Sequence, residues 1–296
     1  MLVTTKQAAY DWLFDNIPSN CKLGIKVHFG RTKKPNSYIP PEFFKPIQKH
    51  VKRAVFFDTN TLYGGERGST LPHLKVAKSH GFSPAIILSE DTPVKYQYAE
   101  VPNGLLMFDL VLNASHFTGH KIAGFGGCIK NIGMGMVTSK TKLWVHAAGE
   151  LVHDTTKCKE CGWCKEECGH LSPEGRKPTC TTCAKCVGYC KAVRFSFGKQ
   201  TEVSQRLALA ARDVIQHIPM LHLAYIHNPT KLCDCMGDHT DTVLKECFGI
   251  SISTDLVEAD NDAVNFVLGT KTKARQLADL QLSTVKGTPT YGGLLF

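Results

Sequence analysis

Residues 158–190 read CKECGWCKEECGHLSPEGRKPTCTTCAKCVGYC, and the rest of the chain is organised around this stretch. It contains the spacing C-x2-C-x2-C-x3-C twice, with four cysteines in each run. The spacing lets three thiolates of a run point into one small concavity, and it is typical of the [4Fe–4S] sites of bacterial ferredoxins. The fourth cysteine of such a run usually binds the other cluster.

We therefore predict two [4Fe–4S] clusters. One ligand set is Cys158, Cys161, Cys164 and Cys190, and the other is Cys180, Cys183, Cys186 and Cys168. Paired C-x2-C units also build zinc sites, but eight cysteines in a duplicated pattern favour iron and sulfur. Gly169 and Lys191 stand where a proline usually follows the fourth cysteine. Proline ligates nothing, so this departure concerns the reduction potential of a cluster rather than its presence.

The chain is far longer than a ferredoxin requires, since it has 296 residues. A chain of this length can bury one large core. We predict an α/β domain made of residues 1–152 and 197–296, interrupted by a ferredoxin-like module at 153–196. Thirteen cysteines without a signal peptide indicate a reducing compartment, so a cytoplasmic location is expected. No apolar run approaches the length of a membrane span, so none is expected.

The formal net charge of +9 counts the cysteines as neutral. Two clusters of about −2 each would bring the loaded chain to roughly +5. The lysines are scattered in short groups, so a nucleic-acid partner is not expected, whereas an acidic redox partner fits equally well.

Strands alternate with helices outside the cysteine stretch. Apolar runs predict strands at 22–29, 54–57, 85–88, 108–112, 221–226 and 250–253. Helical spacing and capping residues predict helices at 4–15, 42–53, 69–80, 203–218, 258–268 and 271–282. This order predicts a mostly parallel sheet that is covered by helices on both faces, with right-handed crossovers. The glycine-rich tail from Gly287 is predicted to be loosely held.

Polar residues fall at or just past the carboxyl ends of these strands. They are His28, Asp58, His116, His120, His227 and Asp255. In an open parallel sheet the carboxyl ends lie along one edge, where ligands bind. The pattern therefore predicts a shared site, although any single His or Asp at a strand end is also a common turn or capping residue.

The glycine-rich stretch Gly124–Gly135 fits neither a dinucleotide-binding fingerprint nor a P-loop. Its backbone N–H groups could converge on an anion, with Lys130 adding a positive charge, which would suit a small anionic substrate. The alternative is a tight turn packed beneath the cysteine module. Cys128 is expected to be an ordinary small residue rather than a reactive thiol.

Cys233 and Cys235 form a C-x-C pair just past another strand end. Such a pair can hold a metal ion or part of a cluster, so a third metal centre is possible, with Cys21 or Cys247 as candidate partners. The alternative is a pair of reduced thiols.

Several longer motifs resemble the iron–sulfur proteins of the family called domain of unknown function 362. They are Lys26-Val-His-Phe-Gly30, Asp58-Thr-Asn-Thr-Leu-Tyr-Gly-Gly-Glu-Arg67, Gly119-His120 and Gly124-Phe-Gly-Gly-Cys-Ile-Lys-Asn-Ile-Gly-Met-Gly135. The resemblance implies an α/β domain around a two-cluster ferredoxin module, and no established reaction. It marks as candidate site residues His28, Asp58, Asn60, Arg67, His116, His120, Lys130 and Asn131. Cys128 departs from the pattern, where a small residue without a thiol is usual.

Three functions fit these features. The first is an iron–sulfur oxidoreductase that passes electrons from an external donor to a substrate or metal site on the α/β domain. The second is an electron carrier or adaptor protein, and the third is a cluster or metal assembly protein. The size of the α/β domain favours the first function. No nicotinamide or flavin motif is visible, so a ferredoxin-like or flavodoxin-like protein is the expected donor.

Overall fold

The structure is a computed structural model that describes residues 1–32, 37–62, 64–147, 150–180, 186–187, 189–233, 242–270 and 272–287. Within these ranges a seven-stranded sheet forms the centre. In order across the sheet the strands are β1 (Leu2–Val3), β15 (Phe248–Ser253), β14 (Met220–His227), β7 (Leu110–His116), β2 (Leu23–Lys26), β3 (Val55–Asp58) and β4 (Ala85–Ile87). The five strands from β14 to β4 are parallel, and β15 runs antiparallel to β14.

Helices cover both faces of this sheet. One face carries α1 (Lys6–Asn16), α2 (Lys45–His50) and α3 (Thr70–Ser79). The other carries α4 (Cys128–Gly133), α5 (Ser139–Ala147), α7 (Gln200–Ile215), α8 (Leu256–Val267) and α9 (Lys273–Lys286). Successive strand residues alternate between the two cores, as with Phe56 on the first face and Phe57 on the second. This arrangement confirms the predicted mixed α/β class with a mostly parallel sheet.

Eight further short strands in the described part of the chain form four separate antiparallel pairs outside the central sheet. They are β5 (Pro93–Lys95) with β6 (Glu100–Pro102), β8 (Thr118–His120) with β9 (Gly124–Gly126), β10 (Leu151–His153) with β13 (Val193–Phe195), and β11 (Leu171–Ser172) with β12 (Gly175–Arg176). The helix α6 (Trp163–Glu167) lies between β10 and β11, and 3-10 turns occupy Pro41–Phe44, Asn103–Met107 and Thr155–Lys157. No helix in the described ranges is long and apolar enough to cross a membrane.

Two predicted elements differ from the observed ones for identifiable reasons. The first predicted strand, 22–29, is shorter, because the pairing of β2 with β3 and with β7 ends at Lys26. The predicted helix at 42–53 divides into a 3-10 turn and α2, with Pro46 in the first turn of α2. Proline has no N–H to continue a helical ladder, so a division at this position is expected. The tail from 288 onward lies outside the described residues.

The cysteine segment, residues 158–190, packs through a small apolar cluster. Its members come from both the segment and its neighbours: Leu62, Leu143, Ala147, Leu151, Leu171, Cys186, Val187, Val193 and Phe195. The partly buried Trp163, Cys164, Cys168 and Cys190 pack against them. Residues of α5 and of the loop after β3 therefore form the floor beneath this segment.

Candidate functional site

The carboxyl ends of β2, β3 and β7 open onto a cavity of about 220 Å³. A water molecule requires only ~15 Å³ of such volume, so the cavity has room for a small ligand. All eight candidate residues of the α/β domain line it: His28, Asp58, Asn60, Arg67, His116, His120, Lys130 and Asn131. The structure therefore brings together side chains that are far apart in the sequence.

Asp58 lies at the centre of the polar network in this cavity. Its Oδ1 is 3.0 Å from Lys26 Nζ and accepts the N–H of Thr59 at 2.8 Å, while its Oδ2 is 3.5 Å from His73 Nε2. Burial alone would raise the pKa of Asp58, but Lys26 and His73 outweigh burial and hold the pKa well below its usual range. Asp58 is therefore a carboxylate at neutral pH, and it holds a lysine and an imidazole in place.

Asn131 connects this network to the strands. Its Oδ1 accepts from Lys26 Nζ at 2.8 Å, and its Nδ2 donates to Asn113 Oδ1 at 2.8 Å and to the carbonyl of Ala114 at 3.1 Å. Asn113 in turn donates to Nδ1 of His222, at 3.1 Å. These bonds define the orientation of both amides, so the floor of the cavity is fixed by side chains of four elements: β2, β7, β14 and α4.

Hydrogen bonds define the surroundings of two of the lining histidines. Nδ1 of His120 accepts the backbone N–H groups of Ile122 and Ala123 at 3.2 and 2.9 Å, so the neutral ring carries its proton on Nε2. Nη1 of Arg67 lies 2.8 Å from Nδ1 of His28. The same Nη1 is 3.2 Å from Nε2 of His28, so the guanidinium, which only donates, faces both ring nitrogens.

Lys26 and Lys142 are buried cations at the cavity that the sequence did not reveal as site residues. Nζ of Lys142 donates to Oγ1 of Thr59 at 2.8 Å and to the carbonyl of Asn60 at 2.6 Å. Burial lowers the pKa of Lys142 to about 8, although Glu90 and Asp58 oppose this effect. Burial also lowers the pKa of Lys26, against the attraction of Asp58. A lysine inside an apolar strand or on the buried side of a helix is the signal that could have found them.

The glycine-rich stretch binds a carboxylate of the chain itself. Oδ1 and Oδ2 of Asp260 each accept one backbone N–H at the start of α4, from Cys128 and Ile129, both at 2.7 Å. A Cβ at Gly127 would collide with Asp260, so glycine permits this approach. Burial raises the pKa of Asp260 to about 6, against these two donors. The N–H groups of Cys128 and Ile129 are thus taken by Asp260, whereas Lys130 lines the cavity together with Gly126 and Gly127.

Cys128 is enclosed, in agreement with its predicted role as an ordinary small residue. It has no exposed surface. Burial, followed by the neighbouring Asp260, raises the pKa of its thiol well above the usual value. A thiol that stays protonated is a poor nucleophile and a poor metal ligand.

Two residues of the predicted rim, His227 and Asp255, are not among the described residues that line the cavity. His227 is exposed at the end of β14, with its ring 6.3 Å from that of Phe248. Asp255 follows β15, which is antiparallel, so the carboxyl end of that strand lies at the opposite edge of the sheet. There its Oδ1 accepts the N–H groups of Val257 and Glu258 and caps α8.

Cys233 lines the cavity and is buried, whereas Cys235 lies outside the described residues. The two candidate partners are elsewhere among the described residues. Cys21 packs in the apolar core on the face of α1, and Cys247 does not line the cavity. The third metal centre therefore stays a prediction, and Cys21 and Cys247 are not positioned to complete it.

The cysteine segment has features that suit cluster ligands. The N–H of Glu160 lies 3.4 Å from Sγ of Cys158, and Glu160 and Gly162 have φ values of 50° and 79°, so the backbone turns in the way that directs N–H groups toward sulfur. Cys183 lies outside the described ranges, and within those ranges no three His, Cys, Asp or Glu side chains gather as metal ligands. The thiol donors and the N–H···S contact fit a [4Fe–4S] cluster, and the ligand sets stay a prediction.

The cavity wall and the cysteine segment are in direct contact. Leu62 lines the cavity and belongs to the same apolar cluster as Cys186. The N–H of Gly64 donates to the carbonyl of Val187 at 3.0 Å. The helix α5 turns Leu143 toward this cluster and Lys142 toward the cavity.

Comparisons with known proteins give a family and two distant structures. No curated protein matches the sequence. One similar solved structure is a protein from Thermotoga maritima, at 11% identity and a TM-score of 0.47, covering 93% of this chain and 59% of that one. Another is the lactate racemase apoprotein from Thermoanaerobacterium thermosaccharolyticum, at 12% identity and a TM-score of 0.47, covering 89% and 55%.

The chain thus spans little more than half the length of either structure. The sequence profile described as domain of unknown function (DUF362) matches residues 23–265, which include the cavity and the cysteine segment. The chain therefore belongs to the DUF362 family.

Proposed function

We propose that this protein is an iron–sulfur oxidoreductase whose substrate binds in the cavity. An external ferredoxin-like or flavodoxin-like protein donates the electrons. The two predicted ligand sets of the cysteine segment hold the clusters, with Cys158, Cys161, Cys164 and Cys190 in one and Cys180, Cys183, Cys186 and Cys168 in the other. Bound [4Fe–4S] clusters supply one-electron transfer.

The observation that carries this proposal is the contact between the cavity and the cysteine segment. Cys186 and Leu62 share one apolar cluster, and Leu62 also lines the cavity. An electron carrier has no need for a cavity with convergent ionisable groups beside its cysteines. Such a cavity is the usual form of a small-molecule site.

The residues of the cavity have separate roles in this proposal. His120, whose neutral ring carries its proton on Nε2, is suited to donate a proton to a substrate that is reduced. Asp58 positions Lys26 and His73 without contacting the substrate. Lys26, Asn131 and Asn113 hold the floor rigid, and a rigid polar floor needs little reorganisation during a reaction.

A second function is favoured by one observation, which is that Cys233 lines the cavity. Cys233 is disulfide-bonded in this structure, and once that bond is reduced its thiol would suit a protein that receives a metal ion or cluster as cargo. In that case the cavity holds metal in transit, and replacement of Cys233 by Ser should abolish its retention.

The experiment compares His120 and Asp58, which line the cavity, with His227, which does not. The holo-protein is reduced without oxygen, mixed with a small-molecule extract of cells, and followed by the recovery of its charge-transfer absorption. His120→Asn and Asp58→Asn should slow this reoxidation about 100-fold. His227→Asn changes an exposed histidine at a neighbouring strand end and should behave like the parent.

An electron carrier gives a different result. All three variants would be reoxidised like the parent, and only by the protein fraction. Charge changes at Lys157, Lys159 and Lys165 would then slow electron exchange instead. This outcome would overturn the enzyme function.

A further inference from the structure

We propose that the cavity binds a small oxyanion, a carboxylate or phosphate group, against Nζ of Lys142. The proposal rests on the cavity being the substrate site, as argued above, and it names the class of that substrate. It places the anion at α5 rather than at the glycine-rich stretch.

The charge of Lys142 is buried with neutral oxygens as its close partners. The residue is 2% exposed, and its two hydrogen bonds go to the hydroxyl of Thr59 and the carbonyl of Asn60. An ammonium has three N–H donors, so these bonds leave one. Its nearest opposite charge is the carboxylate of Glu90, in a long ion pair at 3.8 Å. A buried ammonium whose charge is paired only at this distance favours a site that receives a closer anion from a ligand.

The carboxylate of Glu90 forms an ion pair with Lys142 but lies too far away for a hydrogen bond. Its Oε1 is 3.8 Å from Nζ of Lys142, beyond hydrogen-bonding distance. Both of its oxygens accept from Ser139, from the backbone N–H at 2.9 Å and from the hydroxyl at 3.2 Å. Glu90 is therefore bound to the first residue of α5.

Asp58 does not neutralise Lys142 either, because it forms its ion pair with Lys26 at 3.0 Å. Asp58 therefore pairs closely with Lys26, and Lys142 keeps only the longer ion pair with Glu90. The described lining also contains Arg67 and Lys130, and the repulsion of Lys26 adds to the burial that destabilises the charge of Lys142. An incoming anion relieves this repulsion.

The only convergent backbone donors of the glycine-rich stretch that the described residues show are occupied. Asp260 accepts both N–H groups at the start of α4. A ligand anion entering the cavity therefore meets lysine side chains. The ammonium of Lys142 is the group best placed to bind it.

The test measures binding of simple probes to the full-length holo-protein by calorimetry at constant ionic strength. Sodium phosphate and sodium acetate represent the two oxyanion classes, and acetamide is the neutral control. We expect saturable binding of at least one anion at one site, and none of acetamide. The stronger of the two anions identifies the group that the substrate carries.

Lys142→Met should weaken this binding about tenfold or more, because a charge-assisted bond is lost. Lys140→Met is the matched control, since Lys140 lies on the same helix with a side chain that is 72% exposed. It should bind like the parent. Circular dichroism establishes that both variants are folded.

Should Lys142→Met fail to fold, Lys142→Arg keeps the charge and provides the second test. An arginine stays charged at every accessible pH, whereas the parent should lose affinity about tenfold per pH unit above pH ~8. Glu90, Asp58, Lys26 and His146 also face this space. All four are unchanged in Lys142→Arg, so a difference between the pH profiles of this variant and the parent is due to Lys142.

Absence of saturable anion binding, or equal binding by Lys142→Met and the parent, would overturn the inference. A protein that takes up electrons but binds neither anion would refute the oxyanion site alone. A protein that binds phosphate through Lys142 but holds no iron would refute the oxidoreductase alone.

Discussion

The side chains of the cavity are held by one another, whereas the described residues of the cysteine segment show few side-chain bonds. Asp58 and Asn131 each have at least three polar partners. In the segment, Trp163 stacks on Tyr189 at 5.3 Å, and one small apolar cluster supports the cysteines. The cavity is thus organised by its own side chains, whereas we expect the order of the segment to depend on metal binding by its thiols.

The largest expected effect is the response of the two regions to iron removal. A chelator should raise protease cleavage within 158–190 about tenfold or more, because metal binding and folding are coupled at such sites. The sheet, which has its own two cores, should remain folded. Mass spectrometry of the fragments and far-UV circular dichroism measure the two regions separately. Equal cleavage with and without iron would show that the segment is as preorganised as the cavity.

A substitution at Lys26 tests the cavity network. Lys26→Met leaves the buried carboxylate of Asp58 without its ion pair and should lower the free energy of unfolding by about 3–5 kcal/mol. Urea unfolding of the parent and variant measures this loss. Lys22→Met is the control, because Lys22 is exposed just before the same strand and should change stability by at most ~0.5 kcal/mol. A loss below ~1 kcal/mol for Lys26→Met would show that the network is not preorganised.

Acid should weaken the sheet core through buried neutral histidines. Burial lowers the pKa of His222 to about 4, against the attraction of Asp255. The unfolded chain takes up this proton near pH ~6.5, so stability is complete above that pH and falls by about 1.4 kcal/mol per pH unit until pH ~4. His146 acts in the same direction, and Asp260, with its raised pKa, opposes both between pH ~4 and ~6.

The variant His222→Gln tests whether His222 causes this loss of stability in acid. Its free energy of unfolding, measured between about pH 4.5 and 7, should fall less steeply than that of the parent by about 1.4 kcal/mol per unit. Parallel curves for the two proteins would mean that His222 is not a buried neutral ring.

The smallest expected effect is that of substitutions at Asp255, which test whether this residue is a helix cap or part of the site. Asp255→Ala should cost about 1 kcal/mol of stability through the loss of the cap on α8, and Asp255→Asn only a few tenths. Neither should change anion binding, because Asp255 lies at the other edge of the sheet. Thermal unfolding and calorimetry provide the two readings. If either variant bound anions with altered affinity, Asp255 would be part of the site.

Much of the fold followed from the sequence because strands such as Ala85–Ile87 and Met220–His227 are short apolar runs between turn signals. The direction of β15 could not be predicted from the sequence, because a parallel and an antiparallel strand can have the same apolar pattern. That ambiguity placed Asp255 on the wrong edge.

The sequence predicted the site residues at the strand ends, but it did not predict the buried residues of the cavity floor. His28 and Asp58 stand at strand ends, where polar residues attract notice. Lys26 and Lys142 lie within apolar patterns, and only the fold shows that they are buried and face the cavity. The occupation of the glycine-rich stretch by Asp260 depends on a contact across 131 positions, which local sequence does not encode.

The iron content of protein purified without oxygen decides whether the cysteine segment can deliver electrons to the cavity. Two [4Fe–4S] clusters require about eight iron and eight sulfide per chain, with a brown charge-transfer absorption that dithionite bleaches. Cys161→Ala should lose about half of this iron. Stoichiometric zinc without visible absorption would contradict the oxidoreductase function, because the cysteine segment would then be a structural metal site with no electrons to deliver.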